Sequence, residues 1–197
     1  RLAALAQGAP LTPALFVETH RLSPNLARES SIDVVADLMI HDLDLALSLV
    51  SEDPVHVSAI GMKVITAHHD LANVRLEFPN GAVMNLNVSR VSTEPVRKMR
   101  VFSTEAYASF DFRLNTATLV RRGPGNSVQS TQQTAPGIDA LLEQAKDFIA
   151  CIREGRRPLV AGEDGLRALK YAQVVVEKIR EREGLFSQGL SGSLECR

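Results

Sequence analysis

Over residues 33–50, DVVADLMIHDLDLALSLV, apolar side chains recur at helical spacing through Val35, Leu38, Ile40, Leu45, Leu47 and Leu49. That pattern predicts a helix that wants burial. Ser30, Ser31 and Asp33 can cap its start, and Pro54 forbids continuation past SEDP. Before it, ALFVETHRL at 14–22 reads as a strand that leads into the loop SPNLARESS. After it, VHVSAIGMKVI reads as a second strand, with Gly61 as a bulge or bend.

The alternation is clearest in NVRLEFPNGAVMNLNVSRV. A two-residue loop would set Leu76 opposite Asn85, oil against amide. A three-residue loop over Pro79, Asn80 and Gly81 sets Phe78 opposite Ala82, Leu76 opposite Met84 and Val74 opposite Leu86. It segregates the faces, so it is the predicted register, with Gly81 in the left-handed position. RKMRVFSTEAYASFDF repeats the logic around Thr104-Glu105, pairing Met99 with Phe110 and Val101 with Ala108. TATLVRR is a further strand, and GPGNSVQSTQQTAPG is expected to be a mobile loop.

Two helices close the chain. GIDALLEQAKDFIACIREG spaces Leu141, Leu142, Ala145, Phe148, Ile149 and Ile152 on one face and ends at Gly155. GEDGLRALKYAQVVVEKIRERE does the same with Leu166, Leu169, Ala172, Val176 and Ile179. The order of elements predicts an α+β domain: an open, mainly antiparallel sheet with helices packed on its apolar face. The other face carries Arg75, Glu77, Asn85, Asn87, Ser89, Lys98, Arg100 and Asp111, and must meet water or a second copy. The expected organisation is 1–10 as the end of a linking helix, 11–186 as the domain and 187–197 as a tail.

Composition narrows the function classes. The chain has 197 residues, 45% hydrophobic and 23% charged, with a formal net charge of −1, so no electrostatic case exists for nucleic acid or anionic membrane. No apolar run is long enough to span a bilayer. The two cysteines, Cys151 and Cys196, match no metal spacing, and a cytoplasmic location is the expectation. The opening RLAALAQGAP reads as the last turns of a helix, which suggests that something precedes it.

One stripe breaks the oil of the first helix. Asp37, His41, Asp44 and Ser48 follow one line at intervals of four, three and four. Spacing alone favours a solvated edge with an ordinary surface pair. The same stripe also fits the wall of a cleft, where a carboxylate one turn from an imidazole fixes its tautomer for acid/base work. His20, His68, His69, Asp70 and Asp42 are metal-ligand types without a ligand spacing, so no metal site is expected.

Three separated motifs resemble one family. DLMIHDLDL is similar to the D-x-x-x-H-x-x-D stretch of the glucose–fructose oxidoreductase / inositol dehydrogenase / rhizopine-catabolism (Gfo/Idh/MocA) family. NVRLEFPNGAVMNLNVSR resembles its central hairpin, and DFIACIREGRRPLVAGEDGLRALKYAQVV its closing pair of helices. The resemblance spans about Ala14 to Arg182. It implies the C-terminal substrate-binding and oligomerisation domain of an NAD- or NADP-dependent oxidoreductase. The Rossmann domain of such enzymes, with its G-x-G-x-x-G and E-K-P motifs, is absent from this chain, so no cofactor-binding residue is expected in it. The missing piece would be on the order of a hundred residues.

The resemblance also implies roles. His41 would take the proton of a sugar hydroxyl, with Asp37 polarising it or binding a hydroxyl; these two are the catalytic candidates. His20, Arg21 and Asp44 are the substrate-side candidates, Asp44 being the most structural of the three. The wording from Glu18 to Val50 is most similar to the branch that oxidises the 3-hydroxyl of UDP-N-acetylglucosamine, whose diphosphate would want Arg21 or Arg28. The expected partners are a sugar or nucleotide sugar and further copies of the chain through the polar sheet face. The alternative is a stand-alone, non-catalytic sugar-binding or assembly module of the same fold.

Overall fold

The computed structural model describes residues 11–24, 31–134 and 139–194, the last nine by their backbone. The expected linking helix at 1–10, together with Arg28 and Ser30, lies outside the described residues.

Eight strands form one sheet in the order β2-β3-β4-β1-β5-β6-β7-β8. They are β1 (Ala14–Leu22), β2 (His56–Met62), β3 (Leu71–Glu77), β4 (Val83–Ser89), β5 (Val96–Ser103), β6 (Ala106–Asp111), β7 (Thr116–Arg122) and β8 (Val128–Thr134). Every neighbouring pair is antiparallel except β1 with β4, which run parallel at the centre. The sheet is therefore open and mixed, mainly antiparallel as expected. Three helices accompany it: α1 (Ile40–Leu47), α2 (Ala140–Glu154) and α3 (Gly162–Leu194). α3 runs past residue 186 into the segment expected to be a tail. No described helix is long and apolar enough to cross a membrane.

Both hairpins adopt the register that segregates their faces. Leu76 pairs with Met84 and Val74 with Leu86, and Gly81 sits at φ +83°. Met99 pairs with Phe110 and Val101 with Ala108. The inward residues of β1, β3, β4, β5 and β6 form one core with Val35, Met39, Leu43, Ala46 and Leu47, and with Tyr171, Ala172, Val175 and Ile179 of α3.

Three expectations need correction. The segment after Gly123 is not simply a loop: Val128–Thr134 is an edge strand in full register with β7. Its side chains are almost all exposed and polar, so no alternation announces it. Gly61 is not a bulge, because β2 pairs with β3 without a register shift. It is small because α3 crosses there; a Cβ would lie 2.9 Å from Ile179 Cγ2 and 3.0 Å from His69 Cδ2. Finally, the apolar stripe of α2 is left uncovered by the described residues, with Leu141 76% and Phe148 62% exposed. Among the described side chains of that helix, only Cys151 is buried.

Candidate functional site

The first helix does not begin as an α-helix. Val35–Met39 form a π turn, closed by the Ile40 N–H on the Val35 carbonyl, and α1 continues from it. Such turns are rare and often sit at functional places. Asp33 caps the start, its Oδ1 accepting from the Val35 N–H at 2.9 Å, while the Val34 N–H donates to the His69 carbonyl at 3.1 Å.

Val35, Met39, Leu43, Ala46 and Leu47 are buried. A large apolar side chain buried this way contributes about 2 kcal/mol. The oil therefore anchors the helix, and its outer line needs no role in stability. Along that line Asp37, His41 and Ser48 are exposed and Asp44 is half-buried. Burial raises the Asp44 carboxyl above its ordinary range; Asp164 raises it further and His41 opposes them. Ser48 turns back, its hydroxyl donating to the Leu45 carbonyl at 2.7 Å.

The second acid of the His41-Asp42-Leu43-Asp44 run points the other way. Asp42 is buried and takes a two-pronged ion pair from Arg21, Nε at 2.8 Å and Nη2 at 2.7 Å. Both partners are largely shielded, so the pair is a clamp of α1 onto β1. Arg21 thus spends its fork inside the domain. His20, its neighbour on β1, projects to the opposite face of the sheet, where its Nε2 lies 3.2 Å from Glu18. The sheet separates His20 from Asp37 and His41, and one small ligand cannot touch all three.

A polar cluster that includes Arg90 and Glu183, which sequence reasoning passed over, frames the start of the helix. His69 is buried, its Nδ1 against the Asp33 carboxylate and its Nε2 3.1 Å from Glu183 of α3. Burial works to raise the Glu183 carboxyl, but His69 and Lys63 together hold it below its ordinary value. Asp70 is fully buried and accepts from the N–H groups of Val64, Ile65 and Thr66 at 2.7–2.9 Å, and from the Thr66 hydroxyl. Arg90, at the end of β4, is 4% exposed, donates to the Ile32 carbonyl at 2.8 Å and lies 3.8 Å from Asp37. His69 and Asp70 stood out in the sequence only as metal-ligand types without a ligand spacing, and nothing in it marks Arg90 as buried.

A groove of about 910 Å³ opens at the far end of α1, lined by Leu45, Ser48, Asn80, Leu159, Asp164 and Arg167 among others. Arg167 closes the end of the helix by donating to the Leu47 and Val50 carbonyls. Asp37 and His41 do not line this groove; they face outward on the same side of the helix line. Among the described residues, no group of three or more His, Cys, Asp or Glu side chains is arranged to hold a metal ion. The arrangement offers a carboxylate and an imidazole one turn apart, held on a rigid, clamped helix.

Residues 15–109 match the GFO/IDH/MocA C-terminal domain family. The chain is 39% identical over 184 residues to the UDP-N-acetylglucosamine 3-dehydrogenase of Acidithiobacillus ferrooxidans, covering 85% of this chain and 56% of that protein. A solved structure of that enzyme superposes with a TM-score of 0.83 at 37% identity, covering 90% of this chain and 57% of the other. The inositol 2-dehydrogenase of Rhizobium meliloti is 26% identical, over 76% of this chain and 48% of that protein. Levoglucosan dehydrogenase in complex with NADH shares the fold, with a TM-score of 0.78 at 16% identity over 90% of this chain and 59% of that one. The chain spans about half the length of the curated relatives it matches.

Proposed function

We propose that this chain, whose residues 15–109 belong to the GFO/IDH/MocA C-terminal domain family, is the substrate-binding and assembly domain of an NAD(P)-dependent sugar oxidoreductase. Its relatives are dehydrogenases of a nucleotide sugar and of inositol. The reaction is oxidation of a sugar hydroxyl to a ketone, and the 3-hydroxyl of UDP-N-acetylglucosamine is the substrate to test first. The observation that carries the reading is the position of Asp37 and His41. They stand exposed on one line of a helix whose opposite face is buried and clamped to β1 through Arg21 and Asp42.

An alcohol loses a hydroxyl proton and a carbon-bound hydride when it becomes a ketone. The nicotinamide cofactor supplies the acceptor for the hydride. In this reading the cofactor is held mainly outside this chain, which spans about half the length of the dehydrogenases it matches. This chain supplies the proton acceptor. His41 Nε2 or Nδ1 takes the hydroxyl proton, and Asp37, one turn earlier, orients the imidazole or the neighbouring hydroxyl. Asp44 completes the line from its half-buried place. Arg21 acts indirectly, by holding Asp42 and so the pitch of α1. A substrate role for His20 belongs to the opposite face, where a second copy of the chain would bring its own groups.

The test uses the full-length protein with UDP-N-acetylglucosamine and NAD+ or NADP+, following reduced cofactor by absorbance. His41→Ala should lower kcat by about 100- to 10,000-fold and leave the melting midpoint unchanged, because the side chain is exposed. Near-wild-type turnover in that variant would refute the role. The stand-alone binding or assembly module remains as the second reading, favoured by the extent of the open polar sheet face. Complete absence of turnover in the full-length wild type, with sugar binding retained, would select it.

A further inference from the structure

Arg90 is the one buried side chain among the described residues whose charge is left largely unspent. It is 4% exposed, yet its Nε and Nη1 have no hydrogen-bond partner. Nη2 donates to the Ile32 carbonyl at 2.8 Å, and its nearest anion, an Asp37 oxygen, is 3.8 Å away. That separation is too long for a hydrogen bond. An isolated buried guanidinium is costly to keep, and a buried donor without an acceptor is rare enough to need a reason. The surroundings hold it in place rather than satisfy it. Its own backbone N–H donates to the Asp70 carbonyl at 2.8 Å, and Asp70 is pinned by the turn at 64–66.

The Asp37 side chain is 46% exposed, and at 3.8 Å it stays beyond hydrogen-bond reach of Arg90. It sits in the π turn, the kind of local irregularity that often marks a functional place. The geometry points to Arg90 as the positioning residue of Asp37. When a ligand fills the space outside the helix line, one oxygen of the carboxylate closes onto Nη1 and Nη2. The loose ion pair becomes an oriented one, and the second carboxylate oxygen is aimed at the ligand or at His41. This inference rests on the acid/base reading of Asp37 and His41, but it concerns a residue which that reading does not use.

Two measurements test it, and their failures are distinguishable. In this chain, the Arg90 Nε–H resonance should be protected by burial and visible in 1H–15N spectra. Asp37→Asn should shift it, and His41→Ala should not. An Arg90 signal unmoved by Asp37→Asn overturns the inference, whatever the enzymology shows. In the full-length protein with UDP-N-acetylglucosamine and NAD+, Arg90→Lys and Arg90→Gln should lower kcat by 10- to 100-fold with KM changed less than threefold, and Lys should rescue part of the Gln loss. Combining either with Asp37→Asn should add less than twofold. Independent, multiplicative losses, or a change in KM alone, overturn the positioning role. If Arg90→Gln does not fold, the lysine variant carries the cycle. If the resonance couples as expected but His41→Ala retains turnover, the acid/base reading fails and the Arg90–Asp37 pairing stands as a structural one.

Discussion

Asp42 and Asp44 are two positions apart and have opposite fates. Asp42 shares a face with Met39 and Ala46 and goes inward, where Arg21 neutralises it; Asp44 shares a line with Asp37 and His41 and stays at the edge. Removing one partner of a buried, two-pronged pair leaves the other charge stranded, so Asp42→Ala should cost about 3–5 kcal/mol, read from urea unfolding of this chain. Asp44 behaves in the opposite sense. Its carboxyl is raised, so its contribution to stability is full below the ordinary aspartate value of 3.8 and is lost as pH climbs through the raised one. Asp44→Asn should therefore raise the melting midpoint at neutral pH, with the gain vanishing in acid; a variant no more stable at neutral pH would count against that burial. The outward line was legible from spacing alone, because helical periodicity orders residues around an axis. Arg90 was not, because a cation at the end of a strand looks like any surface residue until the turn at 63–70 and the helix start fold over it. The opposite facing of His20 and Arg21 was written in the strand's own alternation, which puts adjacent residues on opposite faces.

The elements that carry the site are held by a short polar turn and one close approach. Burial alone would raise the Asp70 carboxyl, but the backbone groups of Ile65, Thr66 and Val64 and the Thr66 hydroxyl hold it well below the usual range. Its stabilising effect is thus present above the ordinary value of 3.8 and is lost as pH falls. Asp70→Asn should cost about 2 kcal/mol at neutral pH, and its stability should fall less steeply on acidification, as measured by denaturant titrations across that range. Gly61→Ala drives a methyl into Ile179 and His69 and should destabilise by about 1–3 kcal/mol, with α3 loosening first in hydrogen exchange. The hairpins were readable because alternation and a turn glycine specify them locally. β8 was not, since a sheet's last strand can be polar on both sides. The π turn was hidden because one extra residue in a turn leaves the residue types unchanged. The pairing of β1 with β4 is remote in sequence and has no local mark.

At the scale of the molecule, the sheet has one oiled face and one ionic face. Arg100 with Glu18, Lys98 with Asp111 and Arg75 with Glu77 already pair across the open side, so a second copy laid on it would meet a largely neutralised surface. We expect this chain to sediment larger than a monomer at micromolar concentration, and Glu18→Lys with Asp111→Lys to shift it toward monomer; a monomeric wild type would argue against assembly through that face. The uncovered stripe of α2 is a separate surface, apolar where the sheet face is ionic. The central place of β1 has a consequence for how the chain is made. β2-β3-β4 on one side and β5-β6-β7-β8 on the other are each contiguous in sequence, and β1 alone joins them. Val17 pairs with Met84 on one flank and Val101 on the other. During synthesis at roughly 5–20 residues per second, β1 leaves the ribosome with both edges bare and waits on the order of several seconds for its neighbours to be translated. Its partners can form hairpins in the meantime, but they remain two separate ribbons. A protein cut or mispaired at residues 14–22 loses no mere border; it comes apart into halves.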